Sequence, residues 1–156
     1  MTQAERLVEL LKARGITCAT AESCTGGGVG SAITDVPGAS DVYLGGVISY
    51  ANKVKGDVLG VSAETLERFG AVSLETAAQM AKGAQRLTGA DIAVSTTGIA
   101  GPGGGSADKP VGLVWFGLAS SAGVRTEKAI FAGDRARVRA QAVVHALGML
   151  AVAAAE

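Results

Sequence analysis

Three short apolar segments each run into a polar or glycine-rich cluster, and this pattern constrains the fold more than any other feature of the chain. The segments are residues 16–21, 42–50 and 90–96, and each has the composition and length of a strand, the first of them a short buried one. Segments with helical periodicity lie between them. Strands that alternate with helices in this way predict a sheet that is parallel at its core and covered by helices on both faces.

The last part of the chain departs from this alternation. Residues 111–120 and 124–131 predict two strands of a hairpin, joined at residues 121–123. The predicted fold is therefore one three-layer α/β/α domain over residues 1–156, with a mixed, mainly parallel sheet and an antiparallel edge. The first predicted helix runs from Gln3 to a stop at Gly15, and the second includes Val29 and ends before Pro37. Four further helices are predicted to begin at caps, which are Asn52, Ser62, Ser73 and Asp134.

Composition excludes several classes of protein. The 156 residues carry 14 Lys and Arg against 14 Asp and Glu, so the chain lacks the basic excess with which proteins neutralise nucleic-acid phosphates. No segment has the pattern of a targeting signal or a membrane span, and residues 140–155 read as a packed helix. Cys18 and Cys24 are too few for a disulfide framework or a zinc site, so we expect a cytoplasmic protein without a metal or cofactor.

The turn after the first strand is the first candidate for chemistry. Ser23 at such a corner is a potential nucleophile, with the amides of Thr25 and Gly26 as oxyanion donors and Gly27 allowing close approach of a ligand. The competing interpretation is an ordinary helix cap, which is common. Cys24 is an alternative nucleophile, but the single histidine, His145, lies within the last predicted helix, where a buried structural role is expected.

The end of the second strand is another candidate site. Tyr50 falls at the carboxyl edge of the predicted strand, and Lys55 lies one turn into the helix that follows. A lysine whose pKa is lowered by burial can act as a general base, as in serine–lysine hydrolases. The alternative is a solvated helix lysine beside an edge aromatic. Only convergence with Ser23 favours the functional interpretation.

The third strand leads into a loop with five glycines among residues 98–105. Such a loop offers backbone donors to an anion, but no Walker or dinucleotide-binding pattern is present, and a glycine-rich turn without function is an equal alternative. After it, Arg135 in the first turn of the last helix is the best-placed side chain to clamp a phosphate or carboxylate. Arg137 and Arg139 are expected to form a solvated rim. The candidate binding residues of this half of the chain are Thr97, Gly98, Gly101, Gly104, Ser106 and Arg135.

Four motifs, in this order and spacing, resemble the CinA C-terminal family, whose members include stand-alone nicotinamide-nucleotide amidases. They are A-E-S-C-T-G-G, S-Y-x-N-x-x-K, S-x-T-G-I-A-G-P-x-G-G-S-x-x-K-P-V-G and G-D-R-x-x-V-R. The resemblance covers residues 7–150 and implies a three-layer α/β fold. It also implies hydrolysis of nicotinamide mononucleotide to nicotinate mononucleotide and ammonia, with Ser23, Lys55 and Tyr50 matching the catalytic serine, lysine and assisting tyrosine of the family.

The resemblance further implies a small nucleotide as the substrate and a homo-oligomer as the assembly. Two other functions stay open. One is a catalytically silent domain that binds or senses a nucleotide, and the other is an amidase that acts on a different small substrate. Release of ammonia from nicotinamide mononucleotide distinguishes the amidase that the resemblance implies from these two alternatives.

Overall fold

Five strands and six helices build the computed structural model, which describes all 156 residues. The strands are β1 (Cys18–Glu22), β2 (Tyr43–Ile48), β3 (Ile92–Gly98), β4 (Leu113–Ser120) and β5 (Gly123–Ile130). The helices are α1 (Gln3–Arg14), α2 (Gly28–Thr34), α3 (Asn52–Asp57), α4 (Ala63–Phe69), α5 (Leu74–Thr88) and α6 (Arg135–Ala155), with a short 3₁₀ turn at Ala39–Asp41.

The strands form one sheet in the order β2-β1-β3-β4-β5. Strand β1 pairs in parallel with both β2 and β3, whereas β3–β4 and β4–β5 are antiparallel. The mixed sheet with an antiparallel edge is therefore confirmed. Because β1, β2 and β3 are parallel, their carboxyl ends meet at one edge of the sheet, where ligands of open α/β sheets bind.

Two hydrophobic cores cover the two faces of the sheet. The larger one joins α1, α2 and α6 to side chains such as Val94, Phe116 and Leu118, and the smaller one joins α5 to Ala19 and Ala93. Helix α6 is the one helix long and apolar enough to span a membrane, with a mean hydropathy of 1.5 over its most apolar stretch. Core helices share those properties, and the buried side of α6 is a large part of the larger core.

Side-chain caps start three of the helices where the sequence predicts them, namely α4, α5 and α6. Ser62, Ser73 and Asp134 each accept a hydrogen bond from a backbone N–H in the first turn of the helix that follows. The prediction for Asn52 is wrong. Asn52 is the first residue of α3, and Ala51 occupies the cap position without a side-chain hydrogen bond. The segment before α3 is instead held by the side chain of Lys55, which donates to the carbonyls of Ser49 and Tyr50.

Candidate active site

The carboxyl ends of β1 and β3 and the segment that follows β2 enclose a cavity of about 290 Å³. The predicted residues that line it are Ser23, Tyr50, Lys55, Thr97, Gly98, Gly101, Gly104 and Arg135. Thr25, Gly26, Gly27 and Ser106 are not among its lining residues. A neighbouring cavity of about 300 Å³, lined by Leu113 and Trp115 among others, contains none of the predicted catalytic side chains. All four sequence motifs contribute residues to the first cavity.

Ser23 and Lys55 meet in this cavity although they are separated by 32 positions in the chain. The Nζ atom of Lys55 lies 3.0 Å from the Oγ atom of Ser23. Ser23 follows β1 directly, and its backbone N–H donates to the carbonyl of Thr96 on the neighbouring strand. Lys55 lies on α3, which begins four residues after β2 ends. Pairing of β2 and β3 with β1 therefore sets the distance between the two side chains.

Lys55 is 1% exposed, and its other two partners are the backbone carbonyls of Ser49 and Tyr50, at 2.8 and 3.0 Å. No carboxylate lies within ion-pair distance of its ammonium group. Burial without a compensating negative charge lowers the pKa of Lys55 below that of an exposed lysine, because the charged form loses its hydration. The surroundings of Lys55 thus make its neutral amine easier to form than that of an exposed lysine.

Glu22 supports both members of the pair, and the sequence alone did not single it out. It is 2% exposed, and its carboxylate accepts from the Thr25 hydroxyl and from the backbone N–H groups of Val29 and Gly30. These amides belong to the first turn of α2, so Glu22 caps a helix whose own cap residue has no side chain. Its backbone carbonyl accepts from the N–H of Ser49 at 2.7 Å. A charged residue at the end of a wholly buried strand was the available signal.

The turn after Ser23 presents few free amides. The N–H of Gly26 donates to the carbonyl of Ser23, and the N–H of Gly28 donates to the carbonyl of Thr25. The N–H groups of Cys24, Thr25 and Gly27 make no hydrogen bond within the protein. Of the two amides expected to act as oxyanion donors, that of Thr25 has no partner within the protein, and that of Gly26 is engaged in closing the turn.

Arg139 contacts the same turn from α6. Its guanidinium donates to the carbonyls of Cys24 and Thr25, at 3.0 and 3.2 Å. Arg139 is exposed, as expected of a solvated basic rim, but its guanidinium is also held on this turn, which the sequence analysis did not predict. Residues 135 and 139 are four positions apart and share one face of the helix, whereas Arg137 lies between them and points elsewhere. The spacing of four residues within the fourth motif was the signal that Arg135 and Arg139 lie on the same face of α6.

Arg135 bridges two other walls of the cavity. Its guanidinium donates to the carbonyl of Gly101 at 2.9 Å and to the hydroxyl of Tyr50 at 3.1 Å. Tyr50 is 62% exposed, and its hydroxyl makes no hydrogen bond to Lys55 or Ser23. Tyr50 thus contacts Lys55 through its backbone carbonyl and contacts Arg135 through its side chain.

The glycine loop supplies a run of unpaired backbone donors. The N–H groups of Ala100, Gly101, Gly103, Gly104 and Gly105 make no hydrogen bond within the protein. Gly101 and Gly104 have φ values of 85° and 89°, a conformation that favours glycine. At the far end of the loop, Lys109 donates to the carbonyl of Phe69, so its charge lies away from the cavity, and the N–H of Lys109 donates to the Ser106 hydroxyl. Thr97 donates its hydroxyl proton to the carbonyl of Ala71.

Neither cysteine has the environment of a nucleophile. Burial raises the pKa of Cys24 to about 11 and that of Cys18 to about 12, so both thiols are protonated at neutral pH. His145 is half-buried rather than buried; it stacks on Phe116 with ring centroids 4.2 Å apart and does not line the cavity. No group of three or more His, Cys, Asp or Glu side chains converges anywhere in the molecule.

The known proteins that are similar to this chain are of two kinds, some of similar length and some much longer. The profile of the CinA C-terminal domain matches residues 1–153. The nicotinamide-nucleotide amidohydrolase PncC of Enterobacter agglomerans is 53% identical over 138 residues, which are 88% of this chain and 84% of that protein. A competence-damage inducible protein of Thermoanaerobacter sp. (strain X514) is 49% identical over 146 residues, 94% of this chain, but the chain spans only 35% of its length.

Solved structures show the same fold. The competence/damage inducible protein CihA of Agrobacterium tumefaciens has a TM-score of 0.94 at 44% identity, covering 99% of this chain and 94% of that one. A CinA superfamily protein of Klebsiella pneumoniae 700603 has a TM-score of 0.94 at 38% identity, covering 98% and 96% of the two chains. The architecture and the order of the site segments are therefore shared with proteins of closely similar length.

Proposed function

The chain belongs to the CinA C-terminal domain family, and from that premise we propose that it hydrolyses the carboxamide of nicotinamide mononucleotide, giving nicotinate mononucleotide and ammonia. The observation that carries the proposal is the buried contact between Lys55 Nζ and Ser23 Oγ. A relative that this chain nearly spans is named for the same reaction class, which supports the choice of substrate.

The hydrogen-bond partners of Lys55 match the requirements of a neutral amine that acts as a base. A neutral amine has two N–H donors and one lone pair. The two donors are taken by the carbonyls of Ser49 and Tyr50, which accept only. The third direction is toward Ser23 Oγ, so the lone pair is free to take the hydroxyl proton.

We propose a two-step reaction through an acyl-enzyme. Lys55 takes the proton of Ser23 as Oγ bonds to the carboxamide carbon, and the carbonyl oxygen becomes an oxyanion held by the free N–H of Thr25 and those beside it. The C–N bond then breaks, and the departing nitrogen takes a proton from Lys55 and leaves as ammonia. Water cleaves the Ser23 ester by the same route, with Lys55 as its base, which releases the carboxylic acid.

Assistance by Tyr50 is the second element of the proposal. Its backbone carbonyl orients Lys55 already. A proton relay through its hydroxyl requires that this hydroxyl leave Arg135 when the substrate binds. Tyr50→Phe separates the two roles, because it removes the hydroxyl and keeps the carbonyl. A fall in kcat assigns the relay to the side chain, and an unchanged kcat assigns direct proton transfer to Lys55.

We further propose that the phosphate of the nucleotide lies against the glycine loop. Four residues with unpaired backbone amides, Ala100, Gly101, Gly103 and Gly104, line that end of the cavity together with Arg135, and amides and a guanidinium are the donor set that a phosphate prefers. The proposal thus makes residues 1–156 a single amidohydrolase domain with a small anionic substrate. The homo-oligomer and the cytoplasmic location stay predictions.

The decisive experiment measures ammonia release from nicotinamide mononucleotide by the wild type and by Ser23→Ala and Lys55→Ala. Lys53→Ala is the matched control, since Lys53 lies on the same helix but is exposed and pairs with Asp57. We expect activity in the wild type and the control and a loss of about 10²-fold or more in the other two. Folded Ser23→Ala or Lys55→Ala with normal turnover contradicts the mechanism. Binding without ammonia release by the wild type supports a silent nucleotide sensor, and release from other pyridine carboxamides alone supports a different substrate.

A further inference from the structure

Arg139 is the strongest unassigned feature of the molecule. It carries a full positive charge and has no carboxylate partner. Both of its side-chain hydrogen bonds go to the backbone carbonyls of Cys24 and Thr25, the two residues that follow Ser23. A charged side chain that donates to the backbone after Ser23, rather than to another side chain, can affect the orientation and donor strength of the N–H groups in that backbone.

The geometry of the peptide bond connects Arg139 to the reaction. In a planar trans peptide the C=O and the N–H point in opposite directions. Arg139 donates to the carbonyl of Cys24, so the N–H of the same peptide, that of Thr25, points away from the guanidinium. This N–H has no partner in the protein. Arg139 also donates to the carbonyl of Thr25, whose peptide carries the N–H that closes the turn onto Ser23.

We propose that Arg139 is a positioning residue that orients and polarises the peptide between Cys24 and Thr25, so that the Thr25 N–H becomes an oxyanion donor. A charge-assisted hydrogen bond to a carbonyl draws electron density toward that oxygen and strengthens the N–H on the other side as a donor. The effect matters most when negative charge develops on the substrate oxygen. This inference rests on the proposed function, because it requires an acyl transfer to Ser23.

The matched variants are Arg139→Met, Arg139→Lys and Arg137→Met. Methionine keeps much of the apolar length of arginine and removes its donors, and lysine keeps the charge with fewer donors. Arg137 is two residues away on the same helix and makes no side-chain hydrogen bond. Thermal melting of all three identifies folded variants. If Arg139→Met does not fold, Arg139→Lys provides the test.

With nicotinamide mononucleotide we expect Arg139→Met to lower kcat by about 10-fold to 100-fold, which is less than the direct loss of an oxyanion donor, and to change KM by less than about threefold. Arg139→Lys is expected to fall between Arg139→Met and the wild type, and Arg137→Met to match the wild type. A kcat within about twofold of the wild type in folded Arg139→Met overturns the proposal, and so does a loss confined to KM.

A second readout does not depend on turnover. The aldehyde analogue of the substrate, pyridine-3-carboxaldehyde mononucleotide, adds to a serine hydroxyl and leaves an oxygen where the oxyanion forms. We expect Arg139→Met to weaken this analogue about 10-fold or more and to leave the affinity for nicotinate mononucleotide unchanged. Equal weakening of both ligands overturns the proposal. Turnover that survives Ser23→Ala contradicts the proposed function itself, whereas an Arg139 variant that behaves like the wild type contradicts only this inference.

Discussion

The Nζ atom of Lys55 lies 3.0 Å from the Oγ atom of Ser23, and no carboxylate lies within ion-pair distance of Nζ. A buried lysine usually needs an anionic partner, since an isolated buried charge is costly. Here two backbone carbonyls take that place, and these satisfy the N–H donors of an amine without neutralising an ammonium group. The contacts of Lys55 are therefore those that the proposed proton transfer from Ser23 requires, and they do not form an ion pair.

The first prediction concerns pH. Because the proposed base is the neutral form of Lys55, kcat/KM should rise with pH and level off above the pKa of Lys55, which burial lowers from that of an exposed lysine. Lys55→Arg should lose activity by about 10²-fold or more, because a guanidinium does not deprotonate in this range. Initial rates of ammonia release from pH 6 to pH 10 test both statements. A flat profile, or an active Lys55→Arg, is incompatible with Lys55 as the base.

The second prediction assigns the nucleophile. With a pKa of about 11, about one Cys24 thiol in ten thousand is ionised at pH 7. Cys24→Ala should therefore keep kcat within about threefold of the wild type, whereas Ser23→Ala should lose nearly all turnover. Cys24→Ser is the control for the small loss of packing at this buried position. An inactive, folded Cys24→Ala together with an active Ser23→Ala reverses the assignment to the thiol.

Much of the fold can be predicted from the sequence because its signals are local. The caps at Ser73 and Asp134 depend on one hydroxyl or carboxylate and the amide three residues later. The strands also carry a local signal, although most of their predicted ends differ from the observed ends by one or two residues. Residues 16–21, for example, predict a strand that the structure places at Cys18–Glu22. Hydrophobic pattern marks which residues are buried better than it marks where pairing stops.

The site was less accessible to sequence because its contacts are between distant segments. Ser23 and Lys55 can be proposed from their positions after two parallel strands, but the Arg139 contact with the Ser23 turn spans more than a hundred residues. Glu22 gives no local sign that its carboxylate caps a helix six residues further on. Asn52 shows the opposite error: it is a good cap residue by type, but the helix begins at Asn52 itself and Ala51 occupies the cap position.

The third prediction concerns recognition of the phosphate. Arg135→Ala should reduce kcat/KM for nicotinamide mononucleotide by about 10-fold to 100-fold, because one charge-assisted contact is lost. The riboside lacks the phosphate, so the same variant should change its hydrolysis by less than about threefold. Rates with both substrates measure this, and Arg137→Ala is the control for the charge of the helix. Equal losses with the two substrates indicate that Arg135 acts on the Tyr50 hydroxyl or the glycine loop rather than on phosphate.

The fourth prediction compares two glycines that both lie inside a helix, Gly83 in α5 and Gly148 in α6. A Cβ atom at Gly83 on α5 would overlap the backbone carbonyl of Leu59, which Arg86 already holds, so neither side can yield easily. A Cβ atom at Gly148 on α6 would find only the side chain of Gln3, at 3.8 Å. Helix propensity alone favours alanine over glycine by about 1 kcal/mol at both positions. The surroundings decide the sign of the change in stability.

We therefore expect Gly148→Ala to raise the free energy of unfolding by up to about 1 kcal/mol and Gly83→Ala to lower it by about 1–3 kcal/mol. Urea denaturation followed by circular dichroism measures both. Gly83→Ala should also reduce turnover, because Leu59 lies four residues after Lys55 and the N–H of Val61 donates to the carbonyl of Lys55 at 3.0 Å. Displacement of Leu59 is then transmitted to the base itself. Stabilisation by Gly83→Ala would show that α5 lies farther from this segment than the structure places it.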